Sequence, residues 1–196
     1  MLSAIVLAAG SSKRMEGENK LLLPFLGATI IECVVKTILA AGITEVIIVT
    51  GFQKEKIETA LENYPVQCVH NPNHEKGMTT SIQTGVSVCN GNGYMICLGD
   101  MIAVTANEYA MLKDQFEIFV AINASGICIP VYNSKRGNPV IFSATYRNEI
   151  LAHTEMEGCK KIVQANQQNV YEVVMPFNHI LQDIDYKGDY EKLVSL

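Results

Sequence analysis

The sequence predicts an α/β fold of three layers, αβα, in which helices cover both faces of a Rossmann-like, mainly parallel sheet. Strand-like and helix-like segments alternate along the first half of the chain, which is typical of βαβ units. The 196 residues suit one domain, and 48% hydrophobic against 18% charged residues is typical of a well-buried globular protein. We therefore expect a single domain over residues 1–196, with halves 1–104 and 105–196.

Short apolar runs in the first half predict buried parallel strands, because they are rich in β-branched residues and end at glycine or polar residues. These runs occupy residues 4–8, 45–50, 66–69 and 94–98. Helical spacing of apolar side chains over 29–41, and a more polar pattern over 54–61, predict the intervening helices. Ligands of such sheets bind beyond the carboxyl ends of the strands, so the loops after these strands are the candidate sites.

In the second half, strand-like and helix-like segments alternate less regularly. Thr105 is expected to cap a helix over 105–116. We then expect a strand over 127–132, a hairpin-like turn over 133–138 and a second strand over 139–142. These are followed by a helix over 144–152, a late strand over 169–175 and a terminal helix over 187–196. If residues 181–185 are extended, alternation places Asp183 and Asp185 on the same face.

The loop after the first strand predicts an anion site. Residues 9–15 combine glycine, serines and two cations, Lys13 and Arg14, and Lys20 follows shortly after. Backbone N–H groups of such a loop form a concavity for anions, and the cations can neutralise a polyphosphate. A surface turn with solvated charges is the alternative. The loop is neither G-x-x-x-x-G-K-[ST] nor G-x-G-x-x-G, so neither common phosphate motif is present.

Two further groups of polar residues lie at or after predicted strand ends. Asp100 follows a strand and Gly99, where a carboxylate can hold Mg²⁺ on a bound polyphosphate; a turn or capping aspartate is the alternative. Thr79, Thr80 and Ser81 lie at the start of a helix. One threonine can serve as the N-cap, but three successive hydroxyls exceed what capping requires.

Composition excludes several classes of protein. A formal net charge of −5 argues against a general nucleic-acid binder, and no stretch is long enough for a membrane span. The start of the chain does not have the pattern of a secretory signal, so we expect a cytoplasmic protein. The six cysteines form no C-x-x-C and are interpreted as buried reduced thiols. His70 and His74 lack a third partner at ligand spacing and are interpreted as loop histidines.

Residues 7–15 together with 20–24 resemble the signature L-A-A-G-x-S-x-R-M…K-L-L-L-P of nucleotidyltransferases of the molybdenum cofactor cytidylyltransferase type, a MobA-like NTP transferase family. Arg14 and Lys20 are one residue further apart than in that signature. The resemblance covers nearly the whole chain and is strong in the first half. It implies the sheet of the nucleotide-diphospho-sugar transferase type.

The chain departs from the family pattern at several positions, most of them in the second half. Ile102 stands in place of the proline after Asp100, and Asn138 in place of a histidine in the hairpin. Gly158 alone matches clearly in the next element, and residues 186–188 replace the middle of the final D-I-D-T-P-E-D pattern. These departures leave open a chain that binds nucleotide or cofactor without catalysing transfer, such as an insertion factor.

The resemblance implies Mg²⁺-dependent transfer of CMP from CTP to the phosphate of molybdopterin, with release of pyrophosphate. Ala9 favours CTP, because guanylyl members carry glycine there. The resemblance also implies nucleotide binding by the half 1–104, acceptor binding by the half 105–196, and transient contact with a molybdoenzyme or its chaperone. Guanylyl transfer and a sugar- or polyol-phosphate acceptor are alternatives.

The same resemblance implies roles for individual residues. The catalytic residues would be Arg14, Lys20 and Asp100. The nucleotide-binding residues would be Leu7, Ala8, Ala9, Gly10, Ser11, Ser12, Lys13, Gly77, Thr79, Thr80, Ser81 and Gly85. Arg136 and Asn138 would contact the acceptor. Asp100 and Asp185, with Asp183 as the alternative to Asp185, would hold the metal.

Overall fold

The computed structural model describes residues 1–12, 18–184 and 186–194. Its strands are β1 (Leu2–Ala8), β2 (Pro24–Phe25), β3 (Ala28–Thr29), β4 (Glu45–Thr50), β5 (Gln67–His70), β6 (Gly93–Leu98), β7 (Ile127–Tyr132), β8 (Lys135–Arg136), β9 (Val140–Ser143) and β10 (Val170–Val174). Its α-helices are α1 (Ile30–Ala40), α2 (Lys54–Ala60), α3 (Met78–Val88), α4 (Ala106–Ile122), α5 (Arg147–Ala152), α6 (Lys160–Ala165) and α7 (Lys187–Val194). Among these residues, none of the helices has both the length and the apolar character to cross a bilayer.

One mostly parallel sheet organises the chain. Its strand order is β10-β7-β9-β6-β1-β4-β5, with β8 paired to β7. β1 lies between β4 and β6 and is parallel to both, whereas β9 is antiparallel to its neighbours β6 and β7. The parallel strands therefore end at a common edge, where the loops after β1, β4, β5 and β6 meet.

Two hydrophobic clusters cover the two faces of the sheet. On one face, α1, α2 and α4 pack on Ala4, Val6 and Ile48. On the other face, α3, α5 and α6 pack on Ile5 and Ile47. Neighbouring residues of β1 point to opposite faces because the side-chain period of a strand is two. The predicted three-layer αβα fold is confirmed.

Helix starts differ in how they are capped. Thr29 and Thr105 each form a capping box with a glutamate three residues later, at the starts of α1 and α4. The prediction for Thr105 is confirmed. α3 begins after Gly77 without a side-chain cap, so the expectation that Thr79 or Thr80 caps it is wrong. The extended segment expected over 181–185 is also wrong where it is described, because a 3₁₀ turn covers Asn178–Leu181 and residues 182–184 are not in a strand.

Gly85 lets α3 approach the sheet closely. A Cβ at this position would lie 2.3 Å from Cγ2 of the fully buried Ile5 and 3.2 Å from Cγ2 of Val49. Gly85→Ala is expected to destabilise the fold by about 1–2 kcal/mol, since overpacking outweighs the roughly 1 kcal/mol that alanine gains in helix propensity. Urea denaturation tests this, with Ser87→Ala on the exposed side of the same helix as control. Unchanged or increased stability of Gly85→Ala would contradict the packing argument.

Candidate active site

A cleft of about 640 Å³ lies at the carboxyl edge of the sheet. Its walls come from the loops after β1, β5 and β6 and from the first turn of α3. The lining residues are Leu7, Ala9, Gly10, Ser11, Ser12, Lys20, Leu21, His74, Glu75, Gly77, Met78, Ser81, Leu98, Gly99, Asp100 and Asp183. Many residues that the sequence predicts for one site, from four separate segments, therefore face one cavity.

The loop after β1 presents its backbone to this cleft. Within the described residues, no atom other than those of its immediate neighbours lies within 4 Å of the position that a Cβ of Gly10 would occupy, so this side of the loop is open. The carbonyl of Ala9 accepts a hydrogen bond from the N–H of Phe52 at 3.2 Å. Ser12 has φ 47°, which non-glycine residues rarely adopt, and its hydroxyl accepts from the N–H of Lys20 at 3.2 Å. Both ends of the loop are therefore fixed.

Part of the predicted phosphate site lies outside the described residues. Lys13 and Arg14 belong to residues 13–17, which the structure does not describe, and Asp185 is likewise outside. Their predicted roles stay predictions. Ala8 is described and is buried beneath the loop, where it does not line the cleft.

Lys20 and Asp100 meet at the floor of the cleft. The ammonium of Lys20 forms an ion pair with Oδ2 of Asp100, and it donates a hydrogen bond to the carbonyl of Ile184 at 2.7 Å. The side chain of Asp100 is 10% exposed and that of Lys20 is 18% exposed. A pair this sheltered from water interacts more strongly than a surface pair. The two residues come from positions 80 apart in the chain.

Gly99 allows this close arrangement. Its N–H donates to the carbonyl of Leu7 at 3.2 Å. A Cβ at Gly99 would lie 2.9 Å from that same carbonyl oxygen and 3.2 Å from Cδ1 of Leu21. Only glycine therefore fits at position 99, between the end of β6 and Asp100. The close contact between Gly99 and Leu7 holds Asp100 near the end of β1.

The carboxylates of the cleft fit a divalent ion that is shared with a polyphosphate. Asp100 and Asp183 both line the cavity. Within the ranges 1–12, 18–184 and 186–194, no group of three His, Cys, Asp or Glu residues could form a metal cage. Mg²⁺ is usually bound by one or two carboxylates, by water and by substrate phosphates. The donor set of the described residues suits such a site.

The hydroxyls at the start of α3 divide between two tasks. Ser81 lines the cleft. Thr79 is buried, donates to the carbonyl of Glu155 and accepts from the N–H of Gly158 at 3.0 Å. Thr80 donates to the carbonyls of Asn73 and Gly77, each at 3.0 Å. The structure thus places Thr79 and Thr80 in contacts that fix the backbone around the cleft, and it places Gly85 in the helix–strand contact with β1.

A second cavity of about 420 Å³ adjoins the first, because Met78 and Leu98 line both. Its walls are mainly apolar, and they also carry Arg136 and Asn138, the predicted acceptor residues. Arg136 pairs with Glu172, its Nε lying 2.7 Å from Oε1. The N–H of Asn138 donates to the carbonyl of Ile180 at 3.0 Å.

Cys159 also lines the second cavity, and burial raises the pKa of its thiol to about 12. This thiol is therefore protonated near neutral pH. Because the thiolate is the reactive form, Cys159 is not suited to act as a nucleophile. The cavity can hold a substrate, but its thiol does not supply covalent chemistry.

Several cleft residues were missed by the sequence reasoning. His74 was interpreted as a loop histidine, yet its side chain lines the cleft beside Glu75. Leu21, Met78 and Leu98 complete the wall as apolar residues. The available signal for His74 was its position in the loop after a predicted parallel strand, where ligands bind.

A mostly parallel αβα sheet, a Gly/Ser loop after its central strand and a cation–carboxylate pair at the carboxyl edge are the features of an enzyme that handles nucleotide phosphates. Residues 4–170 match the MobA-like NTP transferase domain, and the chain belongs to this family of nucleotidyltransferases.

Three known proteins are similar to this chain over most of its length. The molybdenum cofactor cytidylyltransferase of Escherichia coli is 24% identical over 96% of this chain and 93% of its own length. The nicotine blue oxidoreductase of Paenarthrobacter nicotinovorans is 27% identical over 74% of this chain and 72% of its own. A solved nucleotidyl transferase from Methanothermobacter thermautotroptrophicus superposes with a TM-score of 0.82 at 26% identity, over 98% of this chain and 95% of that one. Two of these three proteins are named as nucleotidyltransferases and one as an oxidoreductase, so these similarities alone do not identify the substrates of this chain.

Proposed function

We propose that this chain transfers CMP from CTP to the phosphate of molybdopterin, with Mg²⁺ and with release of pyrophosphate. The observation that carries the proposal is the Lys20–Asp100 pair at the floor of a cleft that opens onto a second cavity. Nucleotide and acceptor can lie side by side there, with the α-phosphorus of CTP near Met78 and Leu98, where the cavities join. The similarity to a molybdenum cofactor cytidylyltransferase, and Ala9 in the family motif, support the choice of CTP and of a pterin acceptor.

The chemistry requires positioning and charge neutralisation. An oxygen of the acceptor phosphate attacks the α-phosphorus, the bond to the oxygen that bridges the α- and β-phosphorus atoms breaks, and pyrophosphate leaves. An ionised phosphate is already a nucleophile, so the acceptor needs no general base. Lys20 would neutralise negative charge on the phosphates, and the backbone of residues 9–12, which lines the same cleft, would donate hydrogen bonds to them. Lys13 and Arg14 would add charge on the same side.

Asp100 and Asp183 would hold the Mg²⁺ together with the phosphates of CTP, with Asp185 as the alternative second ligand. Bound there, the ion would supply neutralisation of the charge that develops on the leaving pyrophosphate. Through their ion pair, Lys20 would orient the Asp100 carboxylate before substrates arrive. Gly77 and Ser81 would contact the ribose or the base from the opposite wall of the cleft.

The second cavity would hold the pterin, with apolar walls against its rings. Asn138 would position the acceptor by hydrogen bonding, as its amide can both donate and accept. Arg136 would reach an anionic group of the acceptor by exchanging its contact with Glu172. Delivery of the product would involve transient contact with a molybdoenzyme or its chaperone.

Pyrophosphate release tests the proposal. CTP, GTP, ATP and UTP are compared in parallel with Mg²⁺ and molybdenum-bearing molybdopterin, and each reaction is repeated without acceptor. Acceptor-dependent release with CTP alone is expected. Release of pyrophosphate with GTP instead of CTP would show that the proposed nucleotide is wrong and the proposed acceptor is right. If pyrophosphate is released only when a sugar or polyol phosphate is supplied instead of molybdopterin, the acceptor in the proposal is wrong. Nucleotide binding without pyrophosphate release in any reaction would favour a non-catalytic insertion factor.

A further inference from the structure

The order of the strands separates two ends of the cleft. Asp100 follows β6, whereas Gly51 follows β4, and β1 lies between these strands. Neighbouring strands are about 4.8 Å apart, so the two ends are separated by roughly 10 Å. Lys20 and Asp100 mark one end as the place for phosphates. A nucleoside triphosphate held there would extend its base along the cleft towards β4.

His74 lies at this opposite end. A Cβ at Gly51 would lie 2.7 Å from Cγ of His74 and 2.8 Å from Cβ of Ala9. The imidazole therefore lies close beside Gly51 at the end of β4, where any larger residue than glycine would meet it. The half-buried ring nevertheless lines the cleft. In the described part of the chain, its ring nitrogens make no hydrogen bond within the protein.

The turn that carries His74 is fixed by a buried asparagine. Asn71 is 1% exposed, and its amide donates to the hydroxyls of Thr80 and Ser81 at 2.9 and 3.0 Å. Its Oδ1 accepts from the N–H of Asn73, and its own N–H donates to the carbonyl of Thr50. The ring therefore has a set position before any ligand arrives, which lowers the cost of ordering it on binding.

We propose that His74 contacts the nucleotide base and sets the enzyme's preference for a pyrimidine. The inference rests on the proposed nucleotide, CTP, and on its orientation in the cleft. A neutral imidazole offers a flat aromatic face, one N–H donor and one acceptor, which suit the ring, the carbonyl and the amino group of cytosine. A purine is larger than a pyrimidine and would have to take up more of the space in front of the ring, which already lies close beside Gly51.

Binding of CTP is compared with binding of inorganic tripolyphosphate by calorimetry, in the full-length protein with Mg²⁺. Tripolyphosphate probes the phosphate end alone. His74→Ala is expected to weaken CTP binding about tenfold, as loss of a stacked base does, and to leave tripolyphosphate binding unchanged. The difference in affinity between CTP and GTP should shrink. His70→Ala is the matched control, since His70 is exposed at the end of β5 and should affect neither ligand.

Equal weakening of both ligands by His74→Ala would show a structural role and overturn the inference, as would unchanged CTP affinity. His74→Gln, which keeps a polar side chain in the turn, replaces the alanine variant if the latter fails to fold. No acceptor is present in this experiment, so its result stays valid even if the acceptor in the proposed function is wrong. A wild type that prefers GTP would overturn the pyrimidine preference, whereas a wild type that binds no nucleotide would overturn both proposals.

Discussion

Asp100→Asn is expected to lower turnover by about two to three orders of magnitude, while nucleotide affinity without metal changes only a few fold. Asparagine has nearly the same shape as aspartate, so the packing of this buried side chain is preserved. What is lost is a negative oxygen that can hold a divalent ion on the phosphates. The effect should therefore appear in kcat and in the Mg²⁺ concentration that gives half-maximal rate.

The measurement is a Mg²⁺ titration of pyrophosphate release, together with CTP binding in the presence of a chelator. Asp114→Asn serves as control, because Asp114 is 63% exposed on α4; it should behave as the wild type. Turnover that survives in Asp100→Asn would remove this residue from the metal site and leave Asp183 or Asp185 to be examined. If Asp100→Asn also abolishes CTP binding in the presence of the chelator, Asp100 is needed to order the cleft itself.

The fold could be predicted because its signals are local. The run at Glu45–Thr50 is rich in β-branched residues, and its four middle residues are apolar and so cover both faces, as a buried parallel strand requires; it forms β4. Helical periodicity identified α1, and Thr105 as a capping residue identified the start of α4. In each case the residues that decide the structure are within a few positions of each other.

The details of the site were less predictable because they depend on contacts between distant segments. Lys20, Asp100 and the carbonyl of Ile184 are separated by 80 or more residues, and nothing in their local sequence encodes their meeting. The hydroxyls of α3 illustrate the same difficulty. Composition indicated that they do more than cap, but only tertiary structure assigns Thr79 to the segment of Glu155 and Gly158.

Lys20→Met is expected to reduce kcat/KM for CTP about 100- to 1,000-fold, the usual cost of losing one preorganised group that stabilises a charged transition state. Methionine keeps the length and apolar stem of lysine but removes the ammonium. Both the charge near the phosphates and the hydrogen bond to Ile184 are lost. Pyrophosphate release at varied CTP concentration measures this, with Lys113→Met as control. Lys113 likewise donates to a carbonyl, that of Ala41, but far from the cleft on α4.

The same variant should also be less stable by about 2–3 kcal/mol, because it leaves the sheltered carboxylate of Asp100 without its cation. A double-mutant cycle separates this from a general packing defect. In the Asp100→Asn background the carboxylate of Asp100 is absent, so Lys20→Met should cost clearly less, with a coupling of about 1–2 kcal/mol. Full additivity of the two substitutions in urea denaturation would mean that the ion pair contributes little to the fold. Lys20 would then act on the bound nucleotide alone, and its effect on activity would have to be explained without preorganisation by Asp100.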